Sequence, residues 1–113
     1  MDPISHRAEP PLMSDVLPEL TQELKELLVK QDELELAAQV SVLRIVDRCR
    51  CGDDFCCTFY VQSKPRGGYG PDHRNVELDP KDGMLILDVV GDKIACVEVL
   101  FRDDIRQKLD AAI

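Results

Sequence analysis

Leu17, Leu20, Leu24, Leu27, Gln31, Leu34 and Ala38 recur at alternating three- and four-residue steps, the spacing that gathers side chains on one stripe of an α-helix, while Glu19, Glu23, Glu26 and Lys30 face elsewhere. Ser14 fits the N-cap. Pro18 falls early enough that its missing N–H is one of the donors a helix start leaves free, and Asp15 and Glu19 suit the positive end of the helix dipole. Asp32 with Glu35 three residues on forms a capping-box-like pair, so the segment reads as one helix or as two, over 15–30 and 33–39, with the same stripe.

From residue 40 the period changes to that of strands. Val40 to Arg50 is rich in β-branched residues, with Leu43 and Ile45 on one face and Val42 and Val46 on the other. Gly52-Asp53-Asp54 has the composition of a turn and leads into Phe55 to Gln62, so the pair is predicted as a hairpin. Met84 to Val90 and Lys93 to Phe101, joined by Gly91-Asp92, form a second hairpin with interrupted apolar alternation. Ile105, Leu109 and Ile113 stand four apart, which predicts a short amphipathic helix over 102–113. The fold class is α+β: an N-terminal helical segment, a four-stranded mostly antiparallel sheet of two hairpins and a short C-terminal helix. Between the hairpins, Ser63 to Gly83 is a long Gly- and Pro-rich connection in which Asn75 to Leu78 could add an edge strand.

Length allows one domain. Residues 1–13 carry three prolines and mixed charge and are predicted as a loose arm, leaving 14–113 as a single folded unit. With only five Phe and Tyr in total and no Trp, Leu, Val and Ile must fill the core. No apolar run reaches the roughly 20 residues of a membrane span, and the N-terminal stretch lacks the apolar block of a signal peptide, so a cytoplasmic location without membrane contact is expected.

Charge adds a functional direction. Twenty-two Asp and Glu stand against fourteen Lys and Arg, net −8, concentrated in the first predicted helix. Such a field disfavours direct nucleic-acid binding and speeds encounter with a cationic partner. Glu19, Glu23 and Glu26 on the helix, Asp53 and Asp54 at the first hairpin tip, and Tyr69 and His73 in the Gly-rich loop are the expected partner-binding residues.

Four of five cysteines fall in the run Cys49-Arg50-Cys51-Gly52-Asp53-Asp54-Phe55-Cys56-Cys57. The Cys-x-Cys and Cys-Cys spacing differs from the two Cys-x₂-Cys knuckles usual for tetrahedral zinc. In a hairpin turning at Gly52 to Phe55, Cys51 lies opposite Cys56 and Cys49 shares their face, whereas Cys57 points away. Structural zinc, a Cys51–Cys56 disulfide and reduced thiols are the three readings; reduced thiols, with no metal and no cofactor, are expected. Cys96 reads as a small core residue. His73 is the only histidine of the predicted domain, and neither it nor the acid pairs form a recognisable catalytic or Ca²⁺ set, so a non-enzymatic protein is expected.

Gly83 to Phe101 resembles the two-strand ending of small bacterial proteins, and the size, acidity and predicted architecture of the chain resemble the immunity proteins that accompany contact-dependent growth-inhibition toxins. That resemblance implies an inhibitor that binds a cationic protein toxin, such as a nuclease, and covers its active site. The alternatives are a Zn-binding or thiol-bearing regulatory module using Cys49, Cys51, Cys56 and Cys57, and a small enzyme using the Gly-rich loop and His73. The sequence leaves the oligomeric state open.

Overall fold

A computed structural model describes residues 9–63, 65 and 67–112. At its centre β4 (Met84–Val90) and β5 (Lys93–Leu100) form the predicted hairpin, with Gly91 at φ 64° supplying the left-handed conformation that a two-residue hairpin loop demands. The apolar alternation is interrupted because the register slips between Asp88 and Val89: Asp88 faces Cys96, but Val89 faces Ile94. The extra residue, Ala95, turns its carbonyl outward to accept the amides of Val61 and Gln62 at 3.0 and 3.2 Å.

Two short strands extend the hairpin on the β5 side and one on the β4 side. The sheet runs β1-β2-β5-β4-β3 and is antiparallel throughout, with β1 Asp47–Arg48, β2 Phe59–Tyr60 and β3 His73–Glu77. Five strands therefore replace the predicted four. The addition is β3, foreshadowed by Asn75 to Leu78, and it places His73 on a strand instead of in a loop. The first hairpin keeps its predicted register, Asp47 opposite Tyr60 and Arg48 opposite Phe59, but its strands shrink to two residues each. Val40–Val42 is a 3₁₀ turn, and Cys49 donates to Thr58 O at 2.8 Å before the ladder ends.

One face of the sheet carries the core. Leu85, Leu87 and Val89 alternate along β4 with Val97 and Val99 beside them, Val76 from β3 and Phe59 from β2, all at most 5% exposed. The helices α1 (Met13–Val16), α2 (Pro18–Lys30), α3 (Leu34–Gln39) and α4 (Asp103–Ala112) supply Met13, Leu20, Leu24, Leu36 and Ile105 to the same cluster, and Leu17 joins it from the α1–α2 junction. Pro18 opens α2 at the predicted early position, whereas Ser14 lies inside α1 and Leu12 takes the N-cap place. The predicted stripe holds through Leu24 and then rotates: Leu28 is fully buried, Leu27 half-buried, and Gln31, Leu34 and Ala38 exposed. Within α2 the buried stripe steps by four from Leu24 to Leu28; beyond it a chain reversal at Asp32, φ 63°, restarts the helix in a new phase at Leu34.

Met13, placed in the arm by sequence, is fully buried, and Pro11 O accepts the Ile45 amide at 2.8 Å. Residues 1–8 of the predicted arm, Lys64 and Arg66 of the Gly-rich loop, and Ile113 lie outside the described residues. Among the described residues no helix is long and apolar enough to cross a membrane.

Candidate metal centre

The cysteine run forms the turn between β1 and β2. Gly52 at φ 84° reverses the chain, Cys56 N bonds back to Asp53 O at 3.2 Å, and both flanks are tied down: Cys49 N donates to Thr58 O on the incoming side, and on the outgoing side Cys56 bridges Leu100 and Cys57 N donates to Val99 O at 2.8 Å. As strand alternation requires, Cys49, Cys51 and Cys56 share a face. Their sulfurs all lie within 4.8 Å of one another. Tetrahedral zinc with Zn–S bonds of about 2.3 Å needs sulfurs about 3.8 Å apart, so a small contraction of the turn would close the set. Cys57 points to the other face, buried, with its Sγ donating to Arg102 O at 3.2 Å.

The three thiols open into a cleft of about 430 Å³ whose walls include Arg48, Arg50, Arg106 and Asp53. Arg48 is held by Asp110 at 2.6 Å and Arg50 by Asp47 at 2.9 Å. Burial opposes ionisation of Cys56, but the amide and hydroxyl of Thr58 and the thiols of Cys51 and Cys49 outweigh it and bring Cys56 below the ordinary thiol range. At Cys51 the Asp53 amide favours the thiolate, yet hydrogen bonding with Cys49 and Cys56 prevails and pushes its pKa up to about 11. One thiolate is thus stabilised by two neighbouring thiols. The thiolate is the form that binds metal or attacks a disulfide.

A second polar group occupies the helix-free face of the sheet. Asp88, 5% exposed, accepts from His73 Nε2 and Asn75 Nδ2, each at 2.7 Å, and shares a hydrogen bond with Glu98. That shared bond, with burial and the Asp88 charge, raises Glu98 to about 7; Asp88 is desolvated but ends below the usual carboxylate range because all three neighbours bond to it. Tyr69 packs its ring 4.7 Å from that of His73, and burial drives its hydroxyl pKa upward. Tyr69 and His73 therefore come together as part of a carboxylate network that sequence reasoning missed. The signal was a lone Asp inside the apolar run of β4.

The other predicted partner residues are dispersed in role. Glu19 bonds Lys108 at 2.7 Å, Glu23 is clamped by Arg102, and Glu26 accepts from Gln22 at 3.0 Å. Asp53 and Asp54 are exposed on the cysteine turn. Comparison with protein-family models, curated proteins and solved structures gives no match.

Proposed function

We propose that the chain is a thiolate metal-binding module that holds a thiophilic divalent cation, zinc by preference, on Cys49, Cys51 and Cys56. The observation that carries the reading is the mutual approach of three sulfurs to within 4.8 Å on one turn. Soft thiolates select zinc or other thiophilic metals over Mg²⁺ and Ca²⁺, and three protein ligands leave one coordination position facing the cleft. Arg48, Arg50 and Arg106 in the cleft walls offset the negative charge that three thiolates place around a divalent ion. The module acts as a regulatory element, with the metal fixing the conformation of the turn.

This preference displaces the toxin inhibitor drawn from charge and architecture. Glu19 and Glu23 are spent on Lys108 and Arg102 within the domain, so the helix offers less free acid to a cationic toxin than its sequence suggests.

Elemental analysis of purified protein and Co²⁺ titration test the metal reading. Bound metal and an intense thiolate-to-Co²⁺ absorption are expected, lost in Cys49→Ser, Cys51→Ser and Cys56→Ser and retained in Cys57→Ser and Cys96→Ser. A metal-free protein whose spectrum is unchanged by Co²⁺ under reducing conditions would falsify it.

A further inference from the structure

Phe101 is the one bulky residue among the described positions with a left-handed backbone, φ 62°. Asp32 also has positive φ, but Asp tolerates that region and Phe does not. The position lies at the tight passage from β5 into α4, where glycine would be unstrained. The strained conformation leaves the ring 59% exposed and stacked on Phe55, 43% exposed, with centroids 5.2 Å apart and planes inclined by 25°. The two segments are locked together by Phe101 N donating to Phe55 O at 2.8 Å. Backbone strain that holds an aromatic pair in water costs stability, and strain of this kind concentrates at functional surfaces.

Charge decides what fits there. Asp53 and Asp54 precede Phe55 and Asp103 and Asp104 follow Phe101, so four carboxylates lie along the chain on either side of the ring pair. The nearby cations are engaged within the fold: Arg102 is turned to Glu23, and Arg106 bonds the Asp54 carbonyl. They touch Asp104 and Asp54 only at 3.6 and 3.8 Å, and those side chains remain exposed. We propose that the Phe55–Phe101 pair is the docking anchor for a basic peptide segment of another protein, one that lays an aromatic or aliphatic side chain on the rings and Lys or Arg against the aspartates. Aromatic anchors ringed by polar groups carry most of the energy of protein interfaces, and the acidic rim sets the sign of the partner.

Phe55, Asp53 and Asp54 belong to the cysteine turn, so the surface is tested on metal-free, reduced protein, and through Phe101, which lies outside that turn. The full chain, ¹⁵N-labelled, is titrated with three short synthetic peptides sharing a central Trp-Leu pair: one flanked by Lys and Arg, one by Ser, one by Glu. The basic peptide is expected to shift the amides of Phe55, Phe101 and the four aspartates, and to weaken as salt rises. Phe101→Gly, which relieves the φ strain and leaves the fold in place, is expected to reduce its affinity by roughly thirtyfold, the usual effect of losing an aromatic anchor. Equal binding of the Glu-flanked peptide, shifts confined elsewhere, unaltered affinity in Phe101→Gly, no binding of any peptide, or concentration-dependent dimerisation through the same amides would each overturn the proposal.

Discussion

Arg102 grips Glu23 with two parallel hydrogen bonds, Nη2 to Oε1 at 2.9 Å and Nη1 to Oε2 at 3.2 Å, joining the start of α4 to the middle of α2. The same Nη1 also reaches Asp82 O at 3.2 Å. The guanidinium side chain is 12% exposed and the carboxylate 27%, so neither is well placed to hydrogen-bond water instead. Glu23, read from sequence as a free surface acid, is a structural tie.

Breaking this tie is expected to destabilise the fold. Arg102→Ala and Glu23→Gln should each cost about 2 kcal/mol in urea unfolding, less than for a fully buried pair, and the double variant should cost clearly less than the sum. Strict additivity would show that the two residues act independently. Reversal of Glu26, which has no such partner, should leave stability within about 0.5 kcal/mol of wild type.

Along α2 the structure separates two leucines that the sequence treats alike. Leu24→Asp and Leu28→Asp bury a carboxylate in a fully enclosed site and are expected to unfold the domain. Leu27→Asp, on a half-buried side chain, is expected to leave a cooperative melt at reduced temperature. Circular dichroism melts distinguish the two; a folded Leu28→Asp protein would contradict the packing of the helix.

The Asp88–Glu98 pair sets a pH dependence. Glu98 holds its proton to about pH 7 in the fold against a reference of 4.5, so the folded state loses relative stability as pH rises between those values. Asp88 works in the opposite direction, its contribution fading only as pH falls below the normal carboxylate range. Wild-type stability is therefore expected to decline by about 1 kcal/mol from pH 5 to pH 8, a figure kept small by solvent around the partly exposed Glu98. Glu98→Gln should flatten that decline. A decline of the same size in Glu98→Gln would assign it to another group.

Gly83 precedes β4 at φ 70°, and a β-carbon there would collide with Leu100 O and the Arg102 side chain. Gly83→Ala combines a disfavoured backbone with a clash against main chain, so a loss of about 2 kcal/mol or more is expected from thermal unfolding. Gly68→Ala, where a β-carbon meets open space, serves as the control and should be close to neutral.

Legibility in the sequence followed periodicity. The β4–β5 hairpin and α2 were readable because their apolar residues repeat over several turns or pleats, and the hairpin register at Asp47 and Tyr60 was readable because Gly52-Asp53-Asp54 fixes where the chain reverses. Leu34 and Ala38 were misplaced because one left-handed residue, Asp32, shifts the helical phase, whereas Leu27 keeps a partly buried place beside the stripe. Met13 escaped notice because Pro10 and Pro11 have linker composition, although Leu12 bridges Arg44 and holds the segment against the fold. Convergence of Cys49, Cys51 and Cys56 was readable by carrying the hairpin's alternation into the turn at Gly52, beyond the two-residue strands. The Asp88–Glu98 pair does not: it depends on a cross-strand register in which Asp88 faces Cys96 and Ile86 faces Glu98, and on a bulge that no local propensity announces.

The cysteine turn takes its rigidity from β5, which comes later in the chain. Cys57 hangs on Val99, Cys56 on Leu100 and Phe55 on Phe101. During synthesis the complete thiol set therefore leaves the ribosome before the strand that spaces it exists, and for that interval Cys57 is as accessible as the other three. An oxidant met then has four thiols to choose from, and any bridge that captures Cys57 pulls it from the face where Val99 and Arg102 must later receive it. Strand order is thus expected to make the yield of native protein depend on redox conditions during translation: reducing surroundings, or a metal that occupies the three converging thiols early, keep Cys57 free until β5 arrives.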